Sequence, residues 1–433
     1  MLGATQHAHG DFSSALQSKQ RALDIRLKLL GEEHSSTAES YHTLGATQHA
    51  QGNFSSSLQS TQRALDIRLK LFGENHLRTA DSYHSLGVAQ HKQGDFTSAL
   101  QSKQRALDIN LKLHGEEHFS TAASYNCLGI MQHEQGDLTS ALQSKQRALN
   151  IRIKLFGEAH SRTADGYDSL LVTQHKQKDF TSALQSAKRA LDIRLKLFGE
   201  QHSSTANSYH TLGVAQHAQG DLTSALQSTQ CALDISLKLF GEEHLSTAEI
   251  SHSLGGTQHE QGDLTSALQS KQLALDIRLK LLGENHLRTA DSYDSLLVTQ
   301  RKQEDFTSAL QSAQRALDIR LKLLGEEHSS TADSYQTLGA TQYALGDLTS
   351  ALLSTQRARD VTLKLFGEKH SNTAHIFSSL GVTQHELRDY TSALQSKQRA
   401  LDIRLELFGE KHSSVADSYH SLVVTQHAQS DLA

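Results

Sequence analysis

One leucine recurs along this chain without a slip. Leu2, Leu44, Leu86, Leu128, Leu170, Leu212, Leu254, Leu296, Leu338, Leu380 and Leu422 stand 42 residues apart, with no insertion or deletion between them. A strict period of this size marks a repeat architecture, in which each unit is one supersecondary element stacked on its neighbours. Nine full units follow one another at 37–78, 79–120, 121–162, 163–204, 205–246, 247–288, 289–330, 331–372 and 373–414, with partial units at 1–36 and 415–433. A longer period lies over the first. Residues 168–197 recur almost unchanged at 294–323, and 133–146 recur at 259–272, both at an offset of 126. Copying of three-unit blocks produces that pattern, so near-identity between units reflects copying as much as functional demand.

Each unit reads as two helices. The 433 residues contain no proline and no tryptophan, where an average chain of this length carries about 20 prolines. Two breaks divide each unit. At Gly94-Asp95 the glycine ends one helix and the aspartate caps the next. At Gly325-Glu326-Glu327-His328 the chain turns again, and Ser330 with Asp333 resembles a capping box. These signals place helix A over 80–93 and helix B over 96–113. The stretch ALDIRLKLFG at 190–199 alternates like a strand, yet it fits the end of helix B better. Leu191, Leu195 and Phe198 form one stripe, and Ala190, Ile193 and Leu197 form another. A helix with so wide an apolar arc must touch two neighbours: its own helix A and the next unit. A lone unit would therefore leave part of its core open.

The residues resemble the tetratricopeptide repeat. With Ala80 as position 1, Tyr83 fills position 4, Leu86 position 7, Gly87 position 8, Ala99 position 20 and Ala106 position 27, with Gly94 at the turn. The 42-residue spacing and the GExH loop are similar to the long-period subclass of kinesin light chains and nephrocystin-like proteins. The resemblance implies an all-α, right-handed superhelical solenoid of antiparallel helix pairs, running as one array over 1–433. It departs from the family pattern in places. Position 11, usually apolar, is glutamine from Gln6 through Gln90 to Gln426, which suggests an amide ladder between helices. Position 24, usually aromatic, is Lys103 in one unit and Ala or Thr in others, which suggests a thinner core. Leu171, Leu297 and Val423 replace the small residue at position 8 and should push helix B away.

In the family, helix A positions 2, 5, 6, 9, 12 and 13 line a concave groove. Carried over, position 12 gives His7, His49, His91, His133, His175, His217, His259, His385 and His427, with Arg301 and Tyr343 in two units. Position 5 gives His42, His84, His210, His252 and His420, with Asn126, Asp168, Asp294 and Gln336 among them. These are the candidate partner-binding residues, and the imidazoles raise the idea that acidification charges the groove. The loop histidines, His34 to His412, read as structural, capping or packing the A–B junction. Positions 5 and 12 lie about 10 Å apart along a helix, too far to converge on a metal, so neither a metal nor another cofactor is expected.

The resemblance implies a non-enzymatic scaffold that binds peptide or helical partners. Two alternatives follow from relatives: the sensing arm of a larger STAND-type signalling ATPase, or a kinesin-light-chain-like cargo adaptor, although heptad segments are missing here. Catalysis finds no foothold, with no phosphate loop, nucleophile elbow or HExxH motif. A net charge of -5 offers no field for nucleic acid or anionic membrane. The exposed Arg105, Asp108 and Lys112 series on helix B reads as a solvated face. Two cysteines, Cys127 and Cys231, are too few for a disulfide framework and suggest a cytoplasmic setting. Both ends fall inside a unit and would expose apolar faces, so a fragment of a longer chain, or self-association through the ends, is expected.

Overall fold

The computed structural model describes residues 12–430; Leu2, Gln6, His7 and both chain ends lie outside them. Among the described residues every regular element is an α-helix, from Phe12–Leu30 to Ser413–Ser430. Longer B helices such as Phe96–His114 and Phe180–Phe198 alternate with A helices such as Leu77–Lys92 and Ser161–Lys176. The contacts fall into two compact units, one ending at Gly220 and one starting at Asp221. Within each, a helix packs on its predecessor and its successor, and the next-nearest contacts run between A helices of adjacent repeats, as between Ser35–Ala50 and Leu77–Lys92.

The B helix has the two apolar faces that its sequence demands. Ala190 and Ile193 pack on Ala164 and Tyr167 of their own A helix. Leu191 and Leu195 pack on Tyr209, Leu212 and Ala215 of the following one. The last turn departs from the sequence reading: Leu197 and Phe198 are each 42% exposed. Phe198 lies flat against His202, with ring centroids 4.4 Å apart.

That stacked histidine also corrects the start of the A helix. The cap is the loop histidine, not the serine two residues later. His328 Nδ1 accepts from the Ser330 backbone N–H at 3.1 Å, and His76, His118, His160, His202, His244, His286 and His370 do the same. Helix A therefore begins at Leu77, three residues before the expected Ala80. The aspartate cap at the other break is as read: Asp95 Oδ1 accepts from the Ser98 N–H at 3.0 Å. The glycine before that aspartate has a positive φ, +84° at Gly94. Three repeats place Lys178, Glu304 or Arg388 there instead, at φ 62–63°.

Position 24 does not thin the core. Lys103, Lys145 and Lys271 bury their stems beneath the small residue at position 8. A Cβ on Gly129 would lie 2.7 Å from Lys145 Cγ and 3.1 Å from the Ala141 carbonyl oxygen. Where position 8 is Leu171 or Leu297, position 24 shrinks to Ala187 or Ala313, and the leucine packs against that alanine. Volume is traded between the two helices, so Leu171 and Leu297 need no spreading of helix B to be accommodated. Val423 is 53% exposed.

Two outcomes test this packing. Gly129→Leu should destabilise the protein by about 1–3 kcal/mol through overpacking, and adding Lys145→Ala should recover most of that loss in urea denaturation. Lys178→Gly should stabilise by about 1 kcal/mol, because it relieves a left-handed backbone at a residue with a Cβ; an unchanged midpoint would show that the turn carries no strain.

Candidate functional site

The A-helix face is built from positions 2, 5, 6, 9, 12 and 13 of successive repeats. Most of the histidines there are half-buried, and several pack within their repeat or bond to the next. At position 12, His49, His91 and His175 set their ring edges against Phe54, Phe96 and Phe180 at the start of the B helix. His385 does the same with Tyr390. His91 also pairs through Nε2 with Glu134 of the next repeat. His133, His259 and His385 each place Nδ1 3.0–3.1 Å from a threonine hydroxyl one repeat on: Thr173, Thr299 and Thr425. Those hydroxyls accept from the ammonium groups of Lys145, Lys271 and Lys397 at 2.6–2.7 Å. The Thr425 hydroxyl also donates to the Ser421 carbonyl of its own helix at 3.1 Å. His427 and His420 are exposed, whereas Arg301, Tyr343, His210 and His217 are half-buried.

Position 5 is committed in a similar way. Asp168 and Asp294 do not project freely. Asp168 Oδ2 accepts from Arg194 Nη2 at 2.5 Å and Asp165 Oδ1 from the same nitrogen at 2.9 Å. Arg320 is clamped identically by Asp291 and Asp294. Burial pushes both Asp168 and Asp294 up from the ordinary carboxylate range. His84 lies against Lys103, whose ammonium donates to the His84 carbonyl at 2.8 Å and lies 3.2 Å from its Nδ1. Asn126 Oδ1 accepts from Ser169 of the next A helix at 2.8 Å. His42 and Gln336 are half-buried.

The glutamines at position 11 link helices, each joining its A helix to its own B helix through a serine. Gln90 Oε1 accepts from Ser102 of its own B helix at 2.8 Å, and Gln132, Gln174, Gln258 and Gln300 repeat this bond with Ser144, Ser186, Ser270 and Ser312. The bond closes each hairpin twelve residues apart. On the outer face, Arg105, Asp108 and Lys112 are exposed, and Asp108 accepts from Gln104. Among the described residues, no group of three or more His, Cys, Asp or Glu side chains is placed to hold a metal ion.

What the A face leaves open is position 9. Ile130, Val172 and Val214 in the first unit, and Val298, Val382 and Val424 in the second, are 36–52% exposed. Attention to histidine hid them. The signal was available, since an aliphatic residue recurs at a position that no neighbouring helix needs. Position 31 carries a second hidden feature. Arg68, Arg194, Arg278 and Arg320 are buried there and donate to a serine of the next repeat at 2.6–2.8 Å.

Burial lowers the basicity of some of the histidines on this face. His42, His49, His133, His259 and His375 are all shifted down by it. His84 and His252 are held down to about 4. Acidification therefore meets resistance from the fold before it charges the face. An unfolded imidazole titrates near 6.5, so between about 6.5 and 4 the unfolded chain binds more protons than the folded one. Stability should be full above 6.5 and fall as pH drops through that window. Thermal melts at pH 7, 5.5 and 4.5 should show this loss, and His84→Gln with His252→Gln should lessen its slope. Parallel curves for the two proteins would remove these residues as its cause.

Comparison with known proteins follows this geometry. Tetratricopeptide repeat models match residues 1–70, 57–112, 91–154, 120–196, 170–238, 204–280, 261–322, 300–364 and 373–414. Among curated proteins none matches significantly. Solved structures do. BtubC (BKLC) from P. vanneervenii is 23% identical over 53% of this chain and 92% of its own, with a TM-score of 0.48. The apo form of RapI is 15% identical, covers 86% of this chain and 98% of its own, and has a TM-score of 0.55. A STAND signal transduction ATPase with a tetratricopeptide repeat sensor, from Pyrococcus horikoshii, is 14% identical over 85% of this chain and 55% of its own, at a TM-score of 0.57. At these identities the likeness is one of fold. With repeat models matching most of its length and helix pairs stacked to match, the chain belongs to the tetratricopeptide repeat family.

Proposed function

We propose that this protein is a non-enzymatic scaffold whose A-helix face binds a peptide or a helix of a partner protein. The observation that carries the reading is the row of exposed aliphatic residues at position 9, with Val172 52% and Val298 51% exposed. Nothing in the fold uses them. They stand between half-buried imidazoles, amides and carboxylates at positions 5 and 12, which supply hydrogen bonds on either side. An apolar strip with polar flanks at a regular spacing suits an extended or helical segment with apolar anchors. The repetition lets one long partner, or several copies of a short motif, engage successive repeats. No helix among the described residues is long and apolar enough to cross a membrane; a cytoplasmic setting is part of the proposal.

Display of random peptides against the full chain tests it. Selected peptides should bind with micromolar affinity, and Val172→Glu with Val298→Glu should weaken them by about tenfold or more while leaving the melting temperature within a few degrees. Binding that survives both substitutions would move the partner surface elsewhere on the solenoid.

A further inference from the structure

Buried cations in this protein are not all neutralised. At position 31, Arg68 is paired with Glu39, Arg194 with Asp165 and Asp168, and Arg320 with Asp291 and Asp294. The carboxylates come from positions 2 and 5 of the same repeat's A helix. In the repeat of Arg152 both are absent, replaced by Ala123 and Asn126. The serine that receives the guanidinium elsewhere is Gly166 here. Arg152 is left with one weak bond, from Nη1 to the Arg162 carbonyl at 3.4 Å, and its buried Nε has no partner.

The surroundings add positive charge and no free acid. Lys145, two turns earlier on the same helix, is 3% exposed and donates only to neutral acceptors, the Ser169 carbonyl at 2.9 Å and Thr173 at 2.7 Å. Cys127, on the A helix beside Asn126, feels the charges of both Lys103 and Arg152. The acids nearest these cations are Asp165 for Arg152 and Glu134 for Lys145. Asp165 is bound to Arg194, and Glu134 to His91. Burial outweighs the pull of Glu134 and Asp165: it holds the Lys145 ammonium down at about 8 and lowers Arg152 as well. Arg152 is half-buried, and a guanidinium partly removed from water without a paired carboxylate is costly, its charge screened less than a surface one.

We propose that the A-helix face over Ala123 and Asn126 is a carboxylate-binding site, in which Arg152 receives an acidic side chain of a bound peptide in the place that Asp165 and Asp168 occupy beside Arg194. The chain shows the complex in its own neighbouring repeat. There the two aspartates reach the guanidinium from the A face, with side chains 61% and 31% exposed, so that end of the arginine is open to the face. Ala123 is shorter than aspartate and Asn126 is turned to Ser169, which leaves the approach clear. The exposed Ile130 and Val172 flank the site in sequence. An acidic residue near aliphatic anchors is the partner chemistry that fits. This inference rests on the A face being the binding face.

The test uses the full chain and a fluorescein-labelled twelve-residue oligoglutamate, followed by anisotropy at low salt. Wild type should bind it, less tightly at high salt. Ala123→Asp with Asn126→Asp fills the site with the chain's own carboxylates, and should weaken binding about tenfold while holding or raising the melting temperature. Arg152→Met should weaken it equally without unfolding the protein. Gln104→Asp with Gln146→Asp adds the same charge at exposed B-helix positions away from the A face, and should change binding less than twofold. Equal losses in both aspartate pairs, or no binding by wild type, would overturn the site. If display-selected peptides lose affinity on Val172→Glu but ignore Ala123→Asp with Asn126→Asp, the scaffold reading stands and this site falls. If no peptide binds at all, both fall.

Discussion

No repeat in this protein closes its own core. The B helix buries one stripe against its own A helix and a second against the next, as Ile193 does on Tyr167 while Leu191 sits on Leu212. Everything else follows from that shared burial. It fixes which face of each A helix is spent on packing, and so which face is left for a partner. It makes stability a sum over junctions, and it explains why the period tolerates no insertion. One extra residue in a B helix would turn both stripes by about 100°, away from two neighbours at once.

On top of this apolar frame lies a polar one with its own spacing. The Gln90–Ser102 bond closes a hairpin. The Arg194–Ser208 bond ties a B helix to the next repeat. His133, Thr173 and Lys145 link three helices in one chain of hydrogen bonds. Such bonds add little net stability when made, and cost much when a buried partner is missing. They act mainly as register: a slip of one position along a helix would strand several buried polar groups together.

This frame marks where the sequence was legible and where it was not. The period, the helix pairs, the aspartate caps and the double-sided B helix all rest on local spacing, and local spacing survives folding. The loop histidines were legible as groups that cap or pack the junction; their stacking on Phe198 or Phe240, which holds the ring in place, joins residues across a turn and was not. The A-face histidines were read as ligand groups because the family map assigns positions to a face, not depths within it. His84 shares that face with Val172 but is turned toward Lys103. The pairing of Asp168 with Arg194 joins residues 26 apart. Spacing along one sequence gives no hint that the two must be considered together. Position 9 was on the map and was passed over, since an aliphatic residue in a helix suggests core before it suggests surface.

The junctions also explain the 126-residue block. Position 31 and position 3 of the next repeat, fourteen residues on, change together. Arginine faces serine at Arg68–Ser82, Arg194–Ser208, Arg278–Ser292 and Arg320–Ser334. Where position 31 is the smaller Ser236 or Thr362, position 3 is Ile250 or Ile376, each almost fully buried. A single repeat copied into the wrong place would set a buried guanidinium against an isoleucine, or a short hydroxyl against a serine across a void. Either mismatch strands a polar group or opens a cavity. A block of three carries both halves of its internal junctions and presents matched ends. Duplication by threes is thus the step that lengthens such an array without breaking a junction. The exception, Arg152 against Gly166 with Ala123 and Asn126 in its own repeat where Arg194 has two aspartates, is a junction that the chain leaves incomplete.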